Sequence, residues 1–244
     1  MTNAAFIARR YLLAVFNSPA AWVVAALFVL LNSAFGFAVP VLAGHAGTLD
    51  SVYGVIAGLL IPMLVPVTTM RLFAEERSQG PLELLLTPPA RDWEVAAGRW
   101  LGAFTFYLLL LATTLVYVAL LAVYVPGHLA SLDPGLIGAT YLGLVLVGAA
   151  ATAIGLLASS LTQNLIAAFF LAFAMLLITW YASPLLGFLT QPPSSQVFQY
   201  AGAFNRFQSF GLGQVTLKDT VYFLSLGFAA LFLATTLRSA RRRR

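Results

Sequence analysis

The chain contains no cysteine, one lysine and only 9% charged residues, against about 25% in an ordinary soluble domain. Without cysteine there are no disulfides, no thiolate catalysis and no cysteine-ligated metals, and the redox compartment stays undetermined. The one lysine, Lys218, lies in "VTLKDT" with no glycine beside it. A Walker A loop needs a lysine within a glycine-rich turn to reach the phosphates, so ATP hydrolysis by that route is excluded. His45 and His128 fall in separate predicted loops, near Asp50 and Asp133, and no pair has metal-ligand spacing. Loop polarity accounts for these residues, and no metal site is expected. Neither G-x-S-x-G nor H-E-x-x-H occurs. Acidic residues are also missing from the middle of every apolar stretch. Buried Asp, Glu or His mark ion pathways, so an ion-driven carrier is excluded and any driving force must come from outside the chain. Asn32 is the most prominent deep polar side chain, expected to hydrogen-bond between helices.

Apolar surface is what the chain has in excess. Of its 244 residues, 61% are apolar, and the mean hydropathy is +0.91. The fold class is therefore an all-α integral membrane protein. A bilayer core needs roughly 20 apolar residues as helix, and six stretches qualify: 20–42, 53–73, 100–125, 136–158, 165–183 and 219–237. Trp22, Trp100 and Trp180 fall at span ends and Trp93 just before one, where amphipathic rings favour the interface. The net charge of +5 does not point to nucleic acid, because the arginines flank spans: Arg9 and Arg10 near the first, and five in "LRSARRRR" after the last. Eleven of the thirteen Lys/Arg collect on one side when the N-terminus, the 74–99 loop, the 159–164 turn and the tail share it. The positive-inside rule then places both termini in the cytoplasm. The first span exceeds the 7–15 residues typical of a signal core, roughly speaking, and is expected to stay uncleaved.

Residues 1–19 read as an amphipathic elbow helix lying in the headgroup plane. Phe6, Ile7, Leu13 and Phe16 share a face, Arg9, Arg10 and Tyr11 sit in its middle, and "NSP" breaks it. In the second span Pro62 and Pro66 are four apart. Their missing N–H groups predict a kinked or loosened, gating-type helix, with Thr68 and Thr69 available to the freed carbonyls. Gly54-x-x-x-Gly58 and Gly98-x-x-x-Gly102 permit close helix approach and predict internal packing. The short turn 159–164 pairs spans four and five. Segment 184–218 is aromatic and glycine-rich, and predicts a short re-entrant helical hairpin in the outer leaflet.

Polar effort concentrates in "RLFAEERSQGPLELLLTPPARDWEVAAGRW", where nine charges fall between Arg71 and Trp100. Glu75, Glu76 and Arg77 extend the second span past the membrane, and Gly80 can end that helix. Pro81 suits the first position of a new helix, with Glu83 in its first turn. Leu82, Leu84, Leu85 and Leu86 give this piece an apolar surface until Pro88 and Pro89 stop it, and Asp92 reads as the N-cap of the helix that restarts. So short a helix needs a partner surface. Physics alone leaves two choices, a groove on another protein or the bilayer surface.

The stretch "FAEERSQGPLELLLTPPARDWEVAAGRW" resembles the first cytoplasmic loop of ABC-2-type ABC-transporter permeases. It is especially similar to the gliding-motility-type permeases, in which E-E-[KR]-x-x-G-T-x-E-L-L-L-T-x-P recurs. "NRFQSFGLGQVTLKDTVYFLS", 205–225, resembles that family's last outer segment and final span. Two departures, Pro81 for threonine and Pro89 after Pro88, should stiffen the loop. The resemblance implies a single transmembrane domain over 1–244 in a prokaryotic inner membrane, with a cytoplasmic coupling helix between spans two and three. It implies two copies of a separate ATP-binding subunit that holds ATP and Mg, and a second permease copy or a paralogue. Carried over by position, Glu75, Glu76, Arg77, Gly80, Pro81, Glu83, Leu84, Leu85 and Leu86 are the contacts to the ATPase, aided by the elbow helix. A transport path, in the export direction by family likeness, would run between two permease halves among membrane lipids, lined by spans two and five. The alternative passes force to an extracytoplasmic auxiliary protein and moves no solute. A membrane enzyme lacks any reactive constellation, and a channel leaves the leucine loop unexplained.

Overall fold

The fourth span is built from small residues, and the other elements are arranged around it. The computed structural model describes residues 3–39, 49–73, 92–124, 133–189 and 202–242. Six helices in it are long and apolar enough to cross a membrane: Pro19–Ala38, Asp50–Phe73, Trp93–Leu120, Pro134–Leu161, Leu165–Leu186 and Leu217–Ser239. They are called spans one to six. The fourth span's apolar window is 78% buried, whereas those of spans one, five and six are 28%, 22% and 22% buried, so span four is the hub and the others flank it.

Lipid tails are as apolar as leucine, so helices in a bilayer gain from close approach and interhelical hydrogen bonds, not from leaving the solvent. Span four provides both. A Cβ on Gly143 would lie 2.7 Å from Phe210 Cβ, one on Gly148 would lie 1.9 Å from Tyr107 Cε1, and one on Gly155 would lie 2.2 Å from Thr69 Oγ1. Each glycine is a notch filled by a neighbour. Polar tips then close on span-four carbonyls: Tyr107 donates to Leu144 O at 2.9 Å and Trp100 Nε1 to Ala149 O at 3.1 Å.

Local chemistry sets the helix starts. Ser18 is extended and Pro19 opens span one. Asp133 accepts from Gly135 N at 2.8 Å ahead of span four, and Asn164 accepts from Ile166 N at 2.8 Å ahead of span five. Thr216 and Asp219 bond each other at the start of span six. Spans one and two each contain a wide π-helical turn, Asn32–Ala38 and Ile56–Leu60.

The elbow helix forms as Asn3–Phe16. It seats on span three through the Gly98-x-x-x-Gly102 pair: a Cβ on Gly98 would lie 2.7 Å from Ala4 O, and one on Gly102 would lie 2.5 Å from Tyr11 Cδ1. Its apolar residues divide between two surroundings. Ala4 is buried, while Phe6 and Leu13 are exposed, as suits a helix packed on protein below and open to lipid beside it. Arg9 and Arg10 are exposed.

Beyond span five the segment expected to form a hairpin is described only in part. The helix carrying span five continues through Pro184 to Leu189, so the first part of 184–218 extends that span. Its missing N–H is tolerated because protein packs around it: Gly202 sits so close that its Cβ would meet Ser183 Oγ at 2.2 Å. Residues 190–201 lie outside the described residues. One short helix follows, Ala203–Gly211, ended by Gly213 at φ +77°. Arg206 ties it to span six, 3.0 Å from the buried Asp219 carboxylate and 4.5 Å from the centre of the Tyr222 ring.

Replacing Gly148 or Gly155 with alanine should overpack the hub and cost about 1–3 kcal/mol, read as a lowered melting temperature of the detergent-solubilised chain. Gly138→Ala, whose Cβ would meet nothing within 4 Å, should leave it unchanged.

Candidate functional site: the loop end of the second span

Glu75, Glu76, Arg77, Gly80, Pro81, Glu83, Leu84, Leu85 and Leu86 lie outside the described residues, as do His45 and His128. What the structure describes is the platform from which the charged loop leaves, at Phe73, and to which it returns, at Asp92.

That platform is fastened from several sides. Ser159, near the end of span four, accepts from Phe73 N at 2.9 Å and donates to Met70 O at 3.0 Å. One hydroxyl thus serves two backbone groups in the last described residues of span two. Arg99 of span three donates to Leu72 O, and its guanidinium lies 4.7 Å from the centre of the Phe73 ring. Arg238 of span six lies 5.1 Å from the same centre. Such cation–π contacts contribute roughly 0.5–1 kcal/mol when exposed and about 2 when desolvated. From the elbow helix, Tyr11 donates to Thr68 O at 2.8 Å. Four elements therefore hold the last described turns of span two.

Higher in the same span, Pro62 and Pro66 both fall within the helix Ile61–Thr69, and the carbonyls they free are not met by the threonines expected to meet them. Pro62 and Pro66 are both buried. Thr68 and Thr69 each donate to Val65 O at 2.8 Å, their own preceding turn, and not to a carbonyl that proline has freed. Pro62 has no N–H to offer Gly58 O, and Tyr181 of span five supplies the donor at 2.7 Å. The repair comes from another helix because Gly58 faces span five: a Cβ there would lie 3.3 Å from Tyr181 Oη. Gly54, its motif partner, faces open space. Asn32 is fully buried, yet neither carboxamide atom finds a partner among the described residues, so the expected interhelical bond is not made.

The second and fifth spans, expected to line a path, differ in what they present. The second span's window is 61% buried, because spans one, four and five occupy most of its surface. Leu59 and Met63 form its narrow exposed strip, beside a broad exposed face on span five that includes Ile166, Phe170, Ile178 and Tyr181. Sequence reasoning passed over Ser159, Arg99, Arg238 and Tyr181. A serine pair closing an apolar span, in "LLASSL", was the available signal for the first.

A helical bundle with six spans, a seated elbow helix and a firmly held exit to a charged loop defines a multi-pass membrane protein of the permease kind. The chain belongs to the ABC-2 transporter family: the family model described as "ABC-2 family transporter protein" matches residues 40–237. No curated protein matches the chain. It is accordingly a permease subunit of an ABC transporter, and the family implies an ABC ATPase subunit as partner.

Ser159→Ala should loosen the end of span two. Interhelical hydrogen bonds in membranes contribute about 0.6 kcal/mol on average and up to about 1.7. Backbone amide exchange at Met70–Phe73 should quicken in this variant. Ser160→Ala, whose hydroxyl only bonds Leu157 O in its own helix at 2.7 Å, should leave that exchange as it was.

Proposed function

We propose that this chain is the transmembrane half of an ATP-driven exporter of the gliding-motility-type branch of the family, set in a prokaryotic inner membrane with both termini cytoplasmic. The chain itself is no enzyme and holds no cofactor. ATP and Mg belong to two copies of a partner ATPase, and a second permease copy or a paralogue completes the pathway. Supporting the orientation, eleven of the thirteen Lys/Arg fall on the side of the charged loop. Supporting the coupling, the loop that carries the family-like sequence leaves the bundle at Phe73, where Ser159, Arg99, Arg238 and Tyr11 converge on the last two turns of span two.

In this reading, closure of the two ATPase subunits presses on Gly80–Thr87, with Leu84, Leu85 and Leu86 in an ATPase groove and Glu75, Glu76, Arg77 and Glu83 setting its register. Work done there tilts spans two, three, four and six together, because their loop-face ends are tied. Pro62 and Pro66 mark where span two yields. The exposed flank of spans two and five is apolar, which suits a lipid, a lipid-linked polymer or a hydrophobic peptide as cargo.

Glu83→Lys, and separately Leu84→Asp with Leu85→Asp, should abolish the permease's stimulation of ATP hydrolysis while the variant chain retains its melting temperature. Full complex formation with undiminished stimulation in both would refute the assignment of the loop as the coupling element.

A further inference from the structure

The bundle is closely fastened at its loop face, whereas its opposite half keeps three buried polar side chains without a hydrogen bond among the described residues. These are Asn32 in span one, Tyr53 in span two and Trp180 in span five, at 0%, 3% and 4% exposure. They abut one stretch of span two. The Cβ position that Gly36 lacks is 2.8 Å from Asn32 Oδ1 and 3.0 Å from Val52 Cα, which places the carboxamide beside the residue preceding Tyr53. The Cβ position that Gly58 lacks is 3.7 Å from Trp180 Nε1. Val52 and Gly58 are about 9 Å apart along a helix. Both wide turns fall here too, since Asn32 begins the one in span one and Gly58 lies within the one in span two, Ile56–Leu60.

Partners are not scarce in this neighbourhood. Ser33 and Tyr117 share a hydrogen bond of 2.7 Å, Thr114 and Tyr141 one of 2.9 Å, and Tyr181 reaches Gly58 O. The three orphans are therefore particular to their positions. A polar group buried and unbonded raises the energy of the state that contains it. Wide turns recur at helix kinks and at functional sites, and polar side chains inside a membrane bundle face its interior or a water-filled cavity. Both features coincide at one place, on spans one, two and five, of which two and five also carry the exposed flank.

We propose that the two wide turns form a hinge at which spans one, two and five part during the transport cycle, and that Asn32, Tyr53 and Trp180 are the polar lining this movement opens to water. The proposal rests on the transport reading above. The closed state described here is held shut by packing and penalised by its unbonded groups, so that opening needs less work from the ATPase. The lining is uncharged and offers hydrogen bonds of both senses.

Because the chain has no cysteine, single cysteines report without background. Asn32→Cys, Tyr53→Cys and Trp180→Cys are to be labelled in native membranes with a membrane-impermeant maleimide, with ATP supplied or depleted. Leu144→Cys, in the fully buried core of span four, and Val215→Cys, exposed on the far face, are the closed and open references. Labelling at the three positions should rise several-fold with ATP towards the Val215→Cys level. Labelling that stays at the Leu144→Cys level while the membranes hydrolyse ATP through this complex overturns the hinge. A second measurement stands apart from any ATPase. Asn32→Leu and Tyr53→Phe, which delete unbonded groups, should raise the melting temperature, whereas Tyr107→Phe, which deletes a bonded one, should lower it. If Asn32→Leu and Tyr53→Phe melt below the parent chain, the groups are satisfied at rest and the proposal fails, even where the transport reading survives. If no ATPase accompanies the chain, the transport reading fails, and the melting comparison still decides whether the closed state carries the predicted penalty.

Discussion

Close backbone approach along the fourth span is the constraint on which the rest of the molecule depends. Within lipid, dispersion contacts stabilise a bundle only when surfaces meet without gaps. Gly143, Gly148 and Gly155 make that possible by admitting Phe210, Tyr107 and Thr69. The placement of Thr69 in the last of these notches has a direct consequence. Four residues further along span four, one helical turn, Ser159 comes level with the end of span two and bonds Met70 and Phe73. The hub thus positions the exit to the charged loop, and the same packing leaves spans one, five and six at the periphery.

A division of labour along the membrane normal follows. Near the loop, backbone groups of span two are bonded by side chains, the Phe73 ring meets two guanidinium groups, and the elbow helix is seated on two glycines. Further across, span two is widened at Ile56–Leu60 and carries Pro62 and Pro66 within the helix that follows, Ile61–Thr69. In the proposed coupling, movement imposed at the firm end would be relieved at the wide one. A bundle equally tight throughout would resist a push, and one equally loose would dissipate it.

How much of this could be read from the residues depends on the range of the interaction. Span number and position came from composition and length, which depend only on the bilayer's thickness. The break at Asn17-Ser18-Pro19 is local chemistry and was legible in the same way. The repair of the Pro62 break was not. Thr68 and Thr69 are the nearest hydroxyls in sequence, but they back-bond to Val65, and the carbonyl of Gly58 is met by Tyr181, more than a hundred positions away. Of two similar glycine pairs, Gly98 and Gly102 receive the elbow helix while Gly54 faces open space, a difference that spacing cannot encode. The wide turn at Asn32 has no sequence signature either, since it adds one residue to a turn of otherwise ordinary helix formers. The coupling loop is a different case: its charges and prolines signal an interaction surface, but its partner was suggested by family likeness.

The most direct measurement is affinity purification of the tagged chain from its native membrane in mild detergent, with identification of bound proteins and assay of ATP hydrolysis. A soluble Walker-motif ATPase should co-purify, and the purified material should hydrolyse ATP. A stable assembly of the chain alone, without ATPase and without hydrolysis, would contradict the view that its firmly held loop exit exists to receive force from an ATP-driven partner.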